Sequence, residues 1–190
     1  MKIIYLTNKD VKDENLIPNY LRKFNDEVII LKNKFDLNYV IKNSIDFIVS
    51  DRTRFLITSD IVKHLDKKII NLHPSFLPWC KGVYPNYWSI KTNVPHGVTL
   101  HYIDEGIDTG DIIAQTRLFY NKGETLRNTY DRLRAHMVRL FETCWPNVKI
   151  GNAQSFPQNK KEGSIYYKKD FEGHFEKLKS GWDTLISEIQ

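Results

Sequence analysis

Asn71 and His73 stand two residues apart in the run Ile69-Ile70-Asn71-Leu72-His73, and Asp108 follows in an acidic turn, Asp104-Glu105-Gly106-Ile107-Asp108-Thr109-Gly110. An amide that donates hydrogen bonds, an imidazole that carries a proton and a carboxylate that favours the charged imidazole form a set suited to acid–base chemistry. Side chains on a strand alternate with period two, so Asn71 and His73 share one face and Leu72 takes the other. Pro74 stops the strand and leaves both groups at its carboxyl end, where open α/β sheets bind ligands. An isolated Asn-x-His ordinarily does no more than tie off a strand end. The segment that follows, Pro74-Ser75-Phe76-Leu77-Pro78-Trp79-Cys80-Lys81-Gly82, is long and oddly composed for a simple connector. Asp108, between Ile107 and a Thr-Gly pair, is expected to be held rather than solvated.

Short apolar runs alternate with helical patterns through the first half of the chain. Residues 3–6, 28–31, 47–50 and 68–72, rich in Ile, Val or Phe, read as strands. Residues 16–24, 38–42 and 60–65 read as helices, the last capped by Ser59 or Asp60. Strands alternating with helices predict an α/β fold with a mostly parallel sheet. A loop rich in Pro and aromatics covers 73–85, followed by a short helix over 86–91. Residues 96–103 and 111–120 are two longer strands flanking the acidic turn. Residues 124–145 form the strongest helix, with Leu126, Tyr130, Leu133, Met137, Leu140 and Phe141 at helical spacing as a core stripe. After Pro146 the pattern changes. Residues 154–158 and 164–167 read as extended pieces around a polar turn, and 170–189 as an amphipathic helix. The expected division is a catalytic core over 1–146 and a C-terminal hairpin and helix extension over 147–190, which could pack on the core or supply a dimer contact.

With 190 residues, 41% of them hydrophobic, the chain can bury one sizeable core. Lys and Arg (28) exceed Asp and Glu (23), a formal charge of +5, yet the positives are scattered in pairs such as Lys67-Lys68 and Lys168-Lys169. That scatter argues against a nucleic-acid stripe and suits an anionic small substrate. Cys80 and Cys144 lie outside any CxxC pair, and His64, His96, His136 and His174 share no metal-ligand spacing. The first residues enter a strand directly, and no run reaches the ~20 apolar residues of a membrane span, so a cytoplasmic protein is expected. All nine glycines lie at or after Gly82. Dinucleotide and P-loop folds need glycines just after the first strand, where this chain reads Thr7-Asn8-Lys9-Asp10, so both are excluded.

Taken together, two stretches resemble the formyltransferase family that uses 10-formyltetrahydrofolate. Its Asn-x-His-x-Ser-x-x-Pro segment is met by residues 71–78, and its Gly-x-Thr-x-His-x-x-x-x-x-x-Asp-x-Gly segment by residues 97–110. The resemblance is strong over 69–115, weaker over 47–61 and only architectural before that. It implies a Rossmann-like formyltransferase fold and a catalytic triad of Asn71, His73 and Asp108. Formyl transfer to an amine passes through a tetrahedral oxyanion. The Asn71 amide can donate to that oxygen, an interaction whose loss typically costs ~3 kcal/mol. His73, when protonated, can stabilise the same charge or carry a proton. Asp108 would favour the charged imidazole and accept a proton from the amine, directly or through water. His101, inside a strand, reads as structural. For the co-substrate 10-formyltetrahydrofolate the resemblance implies largely backbone contacts, from Arg54, Phe55 and Leu56 and from the turn at Asp104 and Gly106. The run Ser50-Asp51-Arg52-Thr53 departs from the glycine- and tyrosine-bearing turn of many relatives. No metal is needed.

Three amines divide that family. Glycinamide ribonucleotide enzymes carry a glycine-rich phosphate loop after the first strand, and methionyl-tRNA enzymes a substantial C-terminal RNA-binding domain; the sequence presents neither. The stretch Lys81-Gly82-Val83-Tyr84-Pro85-Asn86-Tyr87-Trp88-Ser89 is most similar to the enzymes for nucleotide-linked amino sugars. One such substrate is dTDP-4-amino-4,6-dideoxyglucose, used in surface polysaccharide (O-antigen) synthesis. The resemblance gives Lys81 to the pyrophosphate and Tyr84, Asn86 and Trp88 to the sugar or base. The expected partners are then a nucleotide-linked amino sugar and a second copy in a homodimer, with no nucleic acid and no membrane. Two alternatives stand outside this reading. One is a non-catalytic nucleotide-sugar binding module; the other is a basic RNA-binding protein whose affinity falls steeply with salt.

Overall fold

The computed structural model describes residues 1–8, 16–159 and 161–189; Lys9 and Asp10, part of the glycine-free segment after the first strand, lie outside the described residues. In chain order the first elements are β1 (Lys2–Thr7), α1 (Leu16–Arg22), β2 (Glu27–Leu31), α2 (Leu37–Lys42), β3 (Phe47–Asp51), α3 (Ser59–His64) and β4 (Ile69–His73). They are followed by β5 (Lys81–Gly82), α4 (Pro85–Lys91), β6 (His96–Tyr102), β7 (Ile112–Leu118), α5 (Leu126–Lys149) and β8 (Ile165–Tyr166). Six strands make one sheet in the order β2-β1-β3-β4-β6-β7. The four on the β2 side run parallel, while β6 lies antiparallel to β4 and β7 antiparallel to β6. The expected mostly parallel sheet is what forms.

Ile3, Tyr5, Phe47, Val49, Ile70 and Leu72 are buried with residues of α1 and α5, whereas Ile4, Leu6, Ile48 and Ile69 are buried with Val40 of α2 and Ile61 of α3. Strands covered on both faces need apolar residues at consecutive positions, which explains why these runs show no polar alternation. β4 obeys this rule only at its start. Ile69 belongs to the α2/α3 side, and Asn71 and His73 continue that same face as polar groups beyond the apolar cluster.

The boundaries differ from the sequence expectation in three places. Thr58, rather than Ser59 or Asp60, is the N-cap of α3, and the Asp60 carboxylate instead accepts hydrogen bonds from the Thr58 hydroxyl and the Ile61 amide. α5 starts from a capping box between Thr125 and Asn128 and does not stop at Trp145; it continues through Pro146 to Lys149. Proline has no N–H to give the carbonyl four residues back, here that of Glu142. The Tyr20 hydroxyl of α1 donates to that carbonyl at 2.8 Å, so the gap is filled from a neighbouring helix.

The third difference is the tail. No helix spans 170–189; four separate 3-10 turns lie at Lys168–Phe171, Phe175–Lys177, Gly181–Asp183 and Ile186–Glu188. Phe171, Leu178, Ile186 and Ile189 recur at spacings a helix would share, which is why the pattern misleads. Gly173 and Gly181 break it with φ of +73° and +55°, and glycine costs a helix about 1 kcal/mol per position. The freed chain wraps instead. It buries those four side chains with Cys80, Tyr87, Trp88 and Ile90 around α4 and with Leu126 of α5. Among the described residues no helix is long and apolar enough to cross a membrane.

Candidate active site

At the carboxyl end of β4, the Asn71 Nδ2 donates to Asp108 Oδ1 at 3.2 Å, and His73 Nδ1 stands 3.6 Å from Asp108 Oδ2. The structure therefore brings Asn71, His73 and Asp108 together. His73 Nε2 lies 3.0 Å from the Cys80 carbonyl. A carbonyl only accepts, so the ring carries its proton on Nε2, and the neutral form turns a bare Nδ1 toward Asp108. His101, the register partner of Asn71 across β4 and β6, enters the same group. Its Nδ1 donates to the Tyr102 carbonyl at 2.7 Å, leaving Nε2 3.2 Å from Asn71 Nδ2 and 3.6 Å from Asp108 Oδ1. His101 thus sets Nε2 against the Asn71 amide and orients it. The sequence reading took this histidine as structural and missed that contact.

Two pieces of scaffold hold the set. The loop after His73 is fastened from β6 and β7: the Thr99 hydroxyl donates to the Ser75 carbonyl at 2.7 Å and accepts from the Leu77 amide at 3.1 Å. Gln115 Nε2 adds bonds to the Leu77 carbonyl and Thr99 Oγ1 at 2.8 and 2.9 Å. Ser75 and Thr99 are motif positions: the Thr99 hydroxyl makes this fastening, and the Ser75 hydroxyl donates to the Trp79 carbonyl at 2.7 Å within the loop. Asp108 takes a left-handed backbone, φ +50°, a conformation that costs a non-glycine residue ~1 kcal/mol or more. The Gly82 amide donates to its Oδ2 at 2.8 Å, and the Gln158 amide donates to its main-chain carbonyl at 2.8 Å. Gly82 has φ +85°, and a Cβ there would sit 2.2 Å from the Tyr166 carbonyl, so only glycine lets β5 pair with β8 and bring that amide to Asp108.

Charge follows from this burial. Burial alone would raise the Asp108 carboxyl, but His73, His101 and the Gly82 amide together outweigh it and hold the group well below the usual carboxylate range. His73 shifts the other way. Burial pushes it below its ordinary value, the pull of Asp108 opposes that only in part, and His101 adds to the fall. The resting site is an anionic Asp108 facing a neutral imidazole.

The remaining expected site residues divide. Lys81 and Tyr84 flank Gly82 and are partly or well exposed, with Tyr84 stacked on Phe171 at 4.0 Å beside Trp182. These rings border a cleft of about 350 Å³. Asn86 and Trp88 are buried. The Asn86 amide donates to the Leu126 carbonyl and Thr129 Oγ1, both at 3.0 Å, and Trp88 stacks on Tyr166 at 4.1 Å, so both help join α4 to α5 and the tail. Arg54 and Leu56 are exposed, while Phe55 packs with Ile103, just before Asp104, in the α2/α3 cluster. The Asp104 carboxylate is occupied by the Gly106 amide at 3.0 Å and Thr109 Oγ1 at 2.6 Å. The turn can thus offer a ligand its backbone, and Lys63 of α3 fixes it through Glu105 at 2.9 Å. The exposed Leu56 and the half-buried Phe55 give this region an apolar edge that fits a folate ring. At the end of β3, Asp51 is tied to Arg134 of α5 at 2.8 Å and takes a hydrogen bond from the Tyr5 hydroxyl, so charge pairing fixes the start of the turn that leads to Arg54. Among the described residues no group of three or more His, Cys, Asp or Glu is arranged to hold a metal ion.

Residues 10–143 match the formyl transferase family. The chain is 31% identical over 146 residues to the methionyl-tRNA formyltransferase of Agathobacter rectalis, covering 76% of this chain and 41% of that protein. It is 38% identical over 94 residues to the phosphoribosylglycinamide formyltransferase of Bacillus subtilis, covering 49% and 46%. The chain therefore spans less than half the length of either curated relative. It is also similar throughout its length to the crystallised formyltransferase PseJ of Anoxybacillus kamchatkensis, at 40% identity and a TM-score of 0.92 over 97% of that chain. That protein was crystallised with UDP-4,6-dideoxy-4-formamido-L-AltNAc and tetrahydrofolate.

Proposed function

Since the chain belongs to the formyl transferase family, we propose that it moves a formyl group from 10-formyltetrahydrofolate to the amine of a nucleotide-linked amino-dideoxy sugar. The observation that carries this reading is the meeting of Asn71, His73 and the anionic Asp108 at one strand end. The choice of a sugar amine is supported by the full-length likeness to a chain crystallised with a UDP-linked formamido sugar. That likeness also favours a UDP-linked sugar over the dTDP-linked glucose derivative, both of which carry nitrogen at C4.

The sugar amine attacks the formyl carbon and a tetrahedral oxyanion forms. Asn71 releases the hydrogen it shares with His101 and donates it to that oxygen. Asp108, 3.6 Å from His73 Nδ1, stabilises the His73 imidazolium. His73 takes the amine proton and returns it to the folate nitrogen as the carbon–nitrogen bond to tetrahydrofolate breaks. Arg54, Phe55, Leu56, Asp104 and Gly106 border the folate. Tyr84 gives the base a flat face, and Lys81 meets the pyrophosphate. We also read the chain as cytoplasmic, as a step in surface polysaccharide (O-antigen) synthesis, and as a homodimer joined through the segment after Lys149, where Ile150 and Phe156 leave apolar surface exposed.

Incubation with 10-formyltetrahydrofolate and a panel of UDP- and dTDP-linked 3- and 4-amino sugars should give formylated sugar by mass spectrometry. Turnover of charged initiator tRNA or of glycinamide ribonucleotide, with none of the sugars, would overturn the assignment.

A further inference from the structure

We propose that Gln158, from the tail rather than from either motif, is a positioning residue that sets the catalytic orientation of Asp108; the inference rests on the formyl-transfer reading above. Its side-chain nitrogen has two hydrogens and spends both next to the catalytic carboxylate, donating to the Asp108 carbonyl at 2.8 Å and the Gly110 carbonyl at 2.9 Å. The orientation of this amide is fixed by chemistry. Flipped, it would set its oxygen against two carbonyl oxygens. Gln158 is itself buried, 9% exposed.

What it holds matters because Asp108 sits at a left-handed φ of +50°, and the other bonds to Asp108, from Asn71 and the Gly82 amide, reach its carboxylate rather than its peptide. On the far side Gly110 is pressed against β6, where a Cβ would lie 2.0 Å from the Tyr102 carbonyl. Two residues before Gln158, Phe156 exchanges main-chain hydrogen bonds with Ile112 at 2.8 and 3.0 Å, so the tail arrives beside the turn already in register. The same segment reaches the other half of the site. The Ser164 hydroxyl accepts from the Cys80 amide at 2.9 Å and the Ser164 carbonyl from the Lys81 amide at 2.9 Å. Cys80 supplies the carbonyl that fixes the His73 tautomer. The tail thus reaches Asp108 through the Gln158 side chain, and Ser164 holds the Cys80 backbone that in turn meets His73; among the described residues, Gln158 is the side chain seen donating to the Asp108 carbonyl.

The test uses the full chain with Gln158→Met, close in shape but without donors, and Gln158→Glu. Misplacing a reacting group by about 1 Å costs on the order of 10²-fold. Gln158→Met should therefore lower kcat by about that factor, with the KM for the amino sugar changed little. Gln158→Glu repels both carbonyls when ionised and regains one donor when protonated, so its kcat relative to the parent chain should rise as the pH is lowered. Amide hydrogen exchange at residues 106–112 should quicken in Gln158→Met whatever the assay shows. A residue that merely supports the fold would lower Tm and leave kcat per folded molecule unchanged. That result, or parental exchange at 106–112 in either variant, overturns the proposal. A parent chain that transfers no formyl group counts against the proposed function instead, and the exchange measurement then decides the role of Gln158 alone.

Discussion

His73 is used at both nitrogens, and burial favours its neutral ring against the pull of both partners. Nε2–H is committed to the Cys80 carbonyl, so a proton taken up during the reaction goes to Nδ1, where Asp108 is 3.6 Å away. The imidazolium then gains an ion pair that the resting ring lacks, which favours charge at the moment it is needed. Asp108 and His73 act as one unit, and that makes a prediction. His73→Asn and Asp108→Asn should each lower kcat by about 10²–10⁴-fold, the usual worth of acid–base help. The double variant should be no slower than the slower single, because neither group works without the other. Multiplied losses in steady-state kinetics would show two independent roles. Removing Asp108 also removes the one charge that raises the His73 pKa, so the acid limb of the rate profile should move to lower pH in Asp108→Asn.

Between helices the decisive detail is the carbonyl that Pro146 cannot serve. Tyr20 donates to Glu142 and lets α5 run past a residue that usually ends a helix. Tyr20→Phe should cost about 1 kcal/mol by urea unfolding, the worth of one such hydrogen bond. In a Pro146→Ala background the backbone supplies its own donor, and the same change should cost about half as much or less. Equal costs in both backgrounds would mean the hydroxyl serves some other purpose. None of this was legible in the sequence, where Pro146 marks a boundary and Tyr20 is one aromatic in a helix. The strands β1, β3 and β4 were legible because burial on both faces demands unbroken apolar runs. Asn71 and His73 were legible because strand alternation is local, and Asp108 because its motif is long. Gln158 and Ser164 gave no local signal. Their partners lie 50 and 84 positions away; the Phe156–Ile112 bridge brings Gln158 near, and the pairing of β5 with β8 brings Ser164. The helix expected in the tail failed for the converse reason, since its apolar spacing fits a helix but Gly173 and Gly181 let it wrap.

The molecule closes three apolar clusters, two on the faces of the sheet and one made by the tail over α4 and the start of α5, and it buries neutral imidazoles in the course of doing so. His96 sits against Ser89 and Tyr120, and burial, helped by the charge of Arg132, pushes it down to about 4. His73 is lowered by burial as well. For a histidine whose pKa is lower folded than unfolded, the unfolded chain binds the proton more readily. Stability from both groups is therefore complete above the ordinary value of 6.5 and drains away as the pH falls through the window below it. Asp108 and Glu124, both held below their ordinary values, act in a second window: their share is present above the usual carboxylate range and is lost further into acid. The acid limb should therefore have two stages. A fall from 6.5 to about 4 at His96 corresponds to roughly 3 kcal/mol, so unfolding free energy should drop by about that order between pH 6.5 and 4. His96→Asn keeps a polar partner for Ser89 without a proton to gain, and it should remove the His96 share of the first stage while leaving the His73 share and the carboxylate stage in place. Urea titrations at half-unit pH steps would check this, and an unchanged slope above pH 4 in the variant would assign the acid sensitivity to other groups.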